Sequence, residues 1–408
     1  MDNAGAVPLK DNAEGTERNG VSHAGPPRGP LAGIRVLEFA GLGPTPFSAM
    51  LLADFGADVL RVERIGHVSA AGGDERHNYL NRSRHTIGLD LKSAQGLALA
   101  RDLASRADVL IEGFRPGAME RLGLGPDALC ALNPRLIYAR MTGWGQTGPL
   151  AHTAGHDINY LALTGGLELI GPPDRPPPPP LNFAANFGGG GMVLVAGILA
   201  ALVERSTSGK GQVIDAAMID GASLLMTQVF AWTRMGIWRE GRGGNLLDGS
   251  AYFYRCYETS DGRHMAVGAL EPQFHALFVQ ALRLDPAEFA DHLNPAHWEA
   301  RAERIAAIFR TRTQAEWTRV FEGIDACVTP VLSPQEALSH PANLARGVHV
   351  GPPDARQPAP APRLSRTPGA MRSMPALAGE GGVAALEQWN FDNHAIRALT
   401  EAGVLSAV

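Results

Sequence analysis

The feature that most constrains the fold is an alternation of strand-like and helix-like segments near the start of the chain. Residues 33–39 form a short apolar run, residues 47–55 have a helical pattern, and residues 57–63 form a second strand-like run. This order predicts a βαβ unit. Further segments of the two kinds follow at 96–105, 108–112 and 136–141. The alternation predicts a parallel sheet covered by helices on both faces, with ligands at the carboxyl ends of its strands.

A proline-rich segment interrupts the alternation. Residues 171–180 end in five consecutive prolines, which predicts an extended surface connection. The glycine run 188–191 follows without the GxGxxG spacing of a phosphate cradle, and it predicts a close approach of the backbone at the ligand pocket. The next residues, 192–203, are the most apolar stretch. Since a bilayer span needs roughly 20 residues, this shorter stretch predicts a buried helix rather than a membrane anchor.

The pattern changes again in the second half of the chain. Aromatic and β-branched strands over 252–270 are joined at residues 260–263, which is a hairpin signal. Helical patterns follow near 274–282 and 298–309, and a short one lies near 392–402. These segments predict a second, smaller domain that begins with the hairpin.

Composition excludes several classes of protein. The 408 residues are 45% hydrophobic and 19% charged, which is enough for a large core and for two domains. The net charge is −5 and the basic residues are scattered, so neither nucleic acid nor an anionic membrane is an expected partner. The three cysteines lie far apart and without a paired histidine motif, which predicts no disulfide framework, no metal site and a reducing cytoplasm; they are Cys130, Cys256 and Cys327.

Several short strings match one family in order along the chain. They occupy residues 56–59, 90–92, 111–117, 133–137, 142–146, 155–160, 208–212, 271–274 and 327–331. Together they resemble the class III CoA-transferase superfamily and, within it, the α-methylacyl-CoA racemase branch. The resemblance as a whole extends over roughly residues 30–405, which is nearly the whole chain.

The resemblance implies an architecture that the patterns alone do not predict. It is an α/β fold with a large Rossmann-like domain built from both chain ends, a smaller α+β domain from the middle, and two subunits interlocked as a homodimer. The active site is then shared between the large domain of one subunit and the small domain of the other. The implied divisions are a disordered tail at 1–29, the large domain's first part at 30–225, a linker at 226–250, the small domain at 251–335, and a return linker with the rest of the large domain at 336–408.

The resemblance also implies an enzyme that acts through an enolate at the α-carbon of an acyl-CoA, with coenzyme A as the substrate's carrier and no separate cofactor. Removing an α-proton requires a base whose pKa lies near working pH, which histidine supplies. His156 stands in a string that resembles the family's base motif. If a helix begins at Asp157, the backbone N–H of that residue can donate to the enolate oxygen. Glu271 is implied to orient the imidazole of His156, as the acid of a catalytic triad does.

Three residues are implied to bind coenzyme A. Arg64 and Arg115 are predicted to lie at strand ends, and guanidinium groups bind phosphate bidentately. Tyr160, in the same string as His156, is assigned to the same ligand.

One position departs from the family's pattern. Asn186 occupies the place of an aspartate that is the second base of the racemases and the nucleophile of the transferases. An amide has no titratable proton at neutral pH and can do neither. The expected function is a 2-methylacyl-CoA racemase or epimerase, or a one-base variant of it. The alternatives are a family III CoA-transferase, an acyl-CoA lyase or isomerase, and a homologue that binds acyl-CoA without racemising it.

Overall fold

The computed structural model describes residues 29–66 and 73–408. The tail predicted for residues 1–29 therefore lies outside the described residues, apart from Gly29. The strands are β1 (Arg35–Phe39), β2 (Asp58–Arg64), β3 (His85–Leu89), β4 (Val109–Glu112), β5 (Ile137–Thr142), β6 (Val213–Ala217), β7 (Tyr254–Glu258), β8 (His264–Gly268), β9 (Val328–Pro330), β10 (His349–Val350), β11 (Gln357–Pro358) and β12 (Leu405–Ser406).

The helices connect these strands and cover the sheets. They are α1 (Pro44–Asp54), α2 (Ala94–Arg106), α3 (Ala118–Arg121), α4 (Pro126–Leu132), α5 (Asp157–Leu163), α6 (Val193–Ser208), α7 (Met218–Leu225), α8 (Thr227–Arg234), α9 (Pro272–Ala281), α10 (Trp298–Phe309), α11 (Gln314–Phe321), α12 (Pro334–Ala337), α13 (Pro341–Arg346), α14 (Gly382–Gln388) and α15 (Asn393–Glu401). A π-helical segment, Phe183–Met192, leads directly into α6.

The central sheet has the strand order β12-β3-β2-β1-β4-β5-β6. Its strands pair in parallel, except that β12 is antiparallel to β3. Alternate residues of a strand face opposite cores, so Leu37 of β1 packs on one side and Val36 on the other. The predicted α/β fold is confirmed, and the order 3-2-1-4-5-6 is that of a Rossmann sheet, which reverses direction at β1.

The end of the chain joins the beginning in one core. Leu386 and Trp389, in and after α14, are fully buried together with Leu37 and Leu60 of the first strands. The indole N–H of Trp389 also donates to a carboxylate oxygen of Asp58 at 2.7 Å. The central sheet therefore contains contributions from both ends of the sequence.

A second, antiparallel sheet has the order β7-β8-β9. The turn between β7 and β8 contains Asp261 and Gly262, so the predicted hairpin is confirmed. Helices α9, α10 and α11 cover this sheet and form a separate aromatic core with it, in which Phe278 and Phe309 are fully buried.

The apolar helix is longer than the sequence predicts. The π-helical segment and α6 form one continuous helical run of 26 residues, Phe183–Ser208, which by length and composition alone could cross a membrane. The length argument for a short buried helix was therefore wrong. Leu194 and Ile198 nevertheless have no exposed surface and pack into the core of the central sheet. The prolines before it, residues 171–180, form no helix or strand and are mostly exposed, as predicted.

The glycine run lies where three helices meet. A Cβ added to Gly189 would lie 2.6 Å from the backbone nitrogen of Ala222 in α7, and one added to Gly191 would lie 2.5 Å from the ring of Phe47 in α1. Both distances are shorter than van der Waals contact, so only glycine fits. The close approach that the structure shows is to helices α7 and α1, and an approach of these glycines to the ligand pocket stays a prediction.

We expect Gly189→Ala to destabilise the protein by about 1–3 kcal/mol, because the added methyl overpacks the contact with α7. Gly197→Ala is the matched control, since its Cβ would meet nothing closer than 3.5 Å, and alanine stabilises a helix by up to ~1 kcal/mol relative to glycine. Denaturant unfolding of the two variants should give midpoint shifts of opposite sign. Shifts of the same sign and size would contradict the packing argument.

Candidate functional site

His156 lies immediately before α5. Its backbone is extended (φ −131°, ψ 176°), and its main-chain N–H donates to Oδ1 of Asn159 at 3.0 Å. The helix begins at Asp157, which meets the condition under which its backbone N–H can donate to the enolate oxygen. His156 itself is exposed in the single chain, so its imidazole is accessible to a ligand.

Asp157 connects this segment with residue 186. Its side chain is buried, with 6% of the residue exposed, and Oδ2 accepts the main-chain N–H of Asn186 at 2.6 Å. Burial raises the pKa of the Asp157 carboxyl above its ordinary value, while the N–H groups of Asn186 and Ala185 act in the opposite direction. The structure thus brings two of the predicted catalytic residues together, although they are 29 positions apart.

Asn186 lies in the first turns of the π-helical segment and beside the carboxyl end of β1. Its Nδ2 is 3.4 Å from the position that a Cβ on Gly43 would take, and Gly43 has a left-handed φ of 67°. Gly43 stands at the start of α1, just after β1, where the sheet reverses its order. Asn186 therefore lies at the crevice in which ligands of Rossmann-like sheets bind. The Oδ1 atoms of Asn186 and Asp157 are buried without a hydrogen-bond partner in the described part of the chain.

The two predicted phosphate ligands lie at this same edge of the sheet. Arg64 is the last residue of β2, and Arg115 follows β4 by three residues. Strands β2 and β4 are the two neighbours of β1, and both arginines are exposed. They therefore stand on either side of the crevice, as a pair of anchors for an anionic ligand would.

Tyr160 supports the loop that carries His156. Only 3% of it is exposed, its hydroxyl donates to the carbonyl oxygen of Gly155 at 2.6 Å, and its ring packs edge-on against Trp144 at 4.7 Å between centroids. A Cβ on Gly143 would lie 2.2 Å from the Tyr160 oxygen. Within one chain, Tyr160 is a packing residue, and its contact with coenzyme A stays a prediction.

Glu271 lies on the other sheet, at the N-terminus of α9. It is exposed, and in the described part of the single chain no hydrogen bond joins it to His156. Its neighbour is Cys327, whose thiol has its pKa raised by burial and by the charges of Asp325 and Glu271. The pairing of Glu271 with His156 therefore stays a prediction that involves a second subunit.

Across residues 29–66 and 73–408, no three His, Cys, Asp or Glu side chains cluster as metal ligands would. All three cysteines are free thiols.

Sequence reasoning missed two parts of the site. Gly43 looked like an ordinary turn residue, because its contact with Asn186 depends on how the chain folds back over the sheet. The carboxylate of Asp157 was overlooked in favour of its N–H group. Asp157 directly follows the candidate base, and this acidic residue was the sequence feature that indicated a carboxylate able to accept main-chain N–H groups of another segment.

Two relatives are similar to this chain over nearly its whole length. The chain is 46% identical over 371 residues to the alpha-methylacyl-CoA racemase of Mus musculus, which covers 90% of this chain and 95% of the mouse protein. It is 43% identical over 382 residues to the alpha-methylacyl-CoA racemase of Homo sapiens, covering 92% of this chain and 98% of the human protein.

The fold is also that of a solved structure. A CAIB/BAIF family protein from Brucella suis superposes with a TM-score of 0.75 and 28% identity, and the match covers 89% of this chain and all of the Brucella chain. The family described as CoA-transferase family III matches residues 31–380, which is most of the sequence. This chain belongs to CoA-transferase family III.

Proposed function

We propose that this protein acts on 2-methyl-branched acyl-CoA thioesters as a one-base variant of an α-methylacyl-CoA racemase. The observation that carries the proposal is that Asp157, which directly follows the exposed His156, accepts the main-chain N–H of Asn186, a residue with an amide side chain. Identity of 43% and 46% to two racemases supports the substrate class. The reaction is exchange of the α-proton on one face, with slow inversion.

The chemistry follows from the donors and acceptors present. The neutral imidazole of His156 takes the α-proton, and the electron pair of the C–H bond moves into the thioester, which becomes an enolate. The N–H of Asp157 lies in the first turn of α5, where it has no intrahelical acceptor, and it is available to the enolate oxygen. The imidazolium then returns a proton to the same face. Inversion needs a donor on the opposite face, and the Asn186 amide has no titratable proton to supply.

We further propose that coenzyme A is the only carrier required, that Arg64 and Arg115 bind it, and that the enzyme is a cytoplasmic homodimer. Exposure of His156 and Glu271 within one chain is compatible with a site completed by a second subunit. Light scattering at micromolar concentration measures this directly and should give twice the mass of the single chain.

A CoA-transferase is the second candidate, because the family takes its name from that activity. The transferase mechanism requires a carboxylate nucleophile at residue 186, and an amide cannot form the acyl anhydride. Intact-protein mass spectrometry after incubation with a donor thioester distinguishes the two candidates, since a covalent acyl or CoA adduct would support the transferase.

The proposed function is tested by incubating each enantiomer of a 2-methylacyl-CoA with the protein in deuterium oxide. We expect one enantiomer to incorporate deuterium with retention of configuration, at a rate ~10²-fold or more above inversion, because a single general base serves one face. Mass spectrometry gives the exchange and chiral chromatography gives the inversion. Fast and equal inversion of both enantiomers would contradict the proposal.

We expect Arg115→Ala to weaken binding of acetyl-CoA by roughly 10–100-fold, since a charge-assisted hydrogen bond is worth about 1.5–3 kcal/mol. Calorimetric titration measures the dissociation constant. The matched control is Arg310→Ala, an equally exposed arginine of α10's C-terminus, which should bind normally. Acetyl-pantetheine lacks the nucleotide phosphates, so the Arg115 variant should bind it as the wild type does. Equal acetyl-CoA affinity in both variants would rule out the phosphate contact.

A further inference from the structure

We infer that the carboxylate of Asp157 is a positioning residue that fixes the distance between His156 and residue 186. The catalytic readout of this inference rests on the proposed function, whereas its structural readout does not.

The contact joins a side chain to the main chain. Oδ2 of Asp157 accepts the N–H of Asn186 at 2.6 Å, and the N–H of Ala185 also donates to the carboxylate. A charged acceptor makes these bonds shorter and stronger than neutral ones. His156 and Asp157 are adjacent in the sequence. The hydrogen bond between the Asp157 carboxylate and the N–H of residue 186 therefore also fixes where residue 186 lies relative to the candidate base.

The main-chain N–H groups in the first turns of the π-helical segment lack acceptors within the segment. Its first intrasegment bond runs from the N–H of Phe187 to the carbonyl of Asn182 at 3.2 Å, so the preceding N–H groups have no acceptor within the segment. The prolines on the upstream side, residues 171–180, have no regular structure. The downstream glycines are fixed against α7 and α1. Packing also holds the upstream end, since Ala185 is fully buried and the ring of Phe187 stacks on that of Phe47 at 4.6 Å. Asp157 adds a cap on the N–H groups of this end, including that of residue 186.

The consequence concerns geometry rather than proton transfer by Asp157. The base His156 and the N–H of Asp157 that receives the enolate oxygen must both be placed precisely relative to the α-carbon, and a displacement of 1 Å can cost ~10²-fold in the rate of proton exchange. Loss of the cap should release residue 186 and the enolate-binding N–H together, without removing any contact to coenzyme A.

The test compares Asp157→Ala with Asp157→Asn in two assays. In the first, main-chain hydrogen–deuterium exchange followed by peptide mass spectrometry measures protection over residues 183–192. In the second, α-proton exchange of 2-methylacyl-CoA in deuterium oxide gives kcat and KM. The matched control is Asp392→Ala, which removes a cap of the same type, since Oδ2 of Asp392 accepts the N–H of Ala395 at 3.1 Å.

We expect D157A to lose protection at residues 185–187 and to lose ~10²-fold in kcat, with unchanged KM and unchanged affinity for acetyl-CoA. D157N should retain most of the protection at residues 185–187 and most of the kcat, because its amide oxygen still accepts the two N–H groups. D392A should change neither. If D157A does not fold, Asp157→Ser keeps one acceptor and is measured in the same two assays.

Three results would overturn the inference: unchanged protection and kcat in D157A, a kcat of D157N as low as that of D157A, or an equal loss in D392A. The second of these would assign Asp157 a role that depends on its charge or its proton. If the wild type shows no α-proton exchange, the proposed function fails, and the protection of residues 185–187 alone then decides whether Asp157 positions the segment.

Discussion

Asn186→Asp is expected to raise the inversion of 2-methylacyl-CoA by ~10²–10⁴-fold, the usual contribution of a general acid or base. The substitution supplies a titratable carboxyl on the face that His156 does not serve. Its position should be retained, because Asp157 binds the main-chain N–H of residue 186 and not its side chain. The nearby Asp157 carboxylate should raise the pKa of the new carboxyl, since two like charges resist ionising together. Chiral analysis of the product from each enantiomer measures the gain.

The control for this substitution is Asn182→Asp, which makes the same change of charge just before the same helical segment. It should leave inversion at the wild-type rate. A gain in both variants would mean that added negative charge, rather than a proton donor at residue 186, promotes inversion. No gain in Asn186→Asp would show that another group delivers the second proton.

His156→Ala is expected to abolish α-proton exchange from both enantiomers. Residue 186 has no titratable group, so no general base remains, and the loss should reach or exceed ~10²–10⁴-fold. Affinity for acetyl-CoA should be unchanged, because the predicted phosphate ligands lie elsewhere on the sheet edge. The rate of deuterium incorporation in the presence of saturating thioester is the measurement.

His152→Ala is the matched control, since His152 is also exposed and lies four residues earlier on the same loop. It should exchange at the wild-type rate. Residual exchange in His156→Ala at more than a few per cent of wild type would assign the base to another residue.

The sequence patterns predicted a parallel sheet covered by helices, because its strands are buried on both faces and form short apolar runs. The Rossmann-like architecture was implied by the family resemblance. The patterns did not predict β3, whose flanks contain Arg82 and Arg84. A sequence pattern predicts that charged residues are exposed, yet Arg84 is buried and forms an ion pair with Glu38. Glu38 also accepts a hydrogen bond from the guanidinium of Arg61 at 2.9 Å. Pairing across strands satisfies these charges, and no local pattern reveals it.

The candidate site was predictable to different degrees. The start of α5 at Asp157 was only a condition of the sequence analysis, and the importance of residue 186 was implied by the family resemblance. The helical partners of the glycines were not predictable, because Gly189 and Gly191 are required by packing against α7 and α1, which are distant in sequence. The contact between Asp157 and Asn186 joins a side chain to a backbone N–H across 29 positions. Such a contact depends on tertiary folding, so no periodicity indicates it.

The antiparallel strand β12 has a consequence for the order of folding. It covers the outer edge of β3 through pairs such as Leu405 with Leu89, although β3 is made early and β12 is made last. At synthesis rates of about 5–20 residues per second, the interval between them is roughly 15–60 s. During this time the outer edge of β3 has no strand partner, and unpaired edges of this kind invite association between chains. We therefore expect the nascent chain to depend on chaperones for longer than the early completion of its first βαβ unit would suggest.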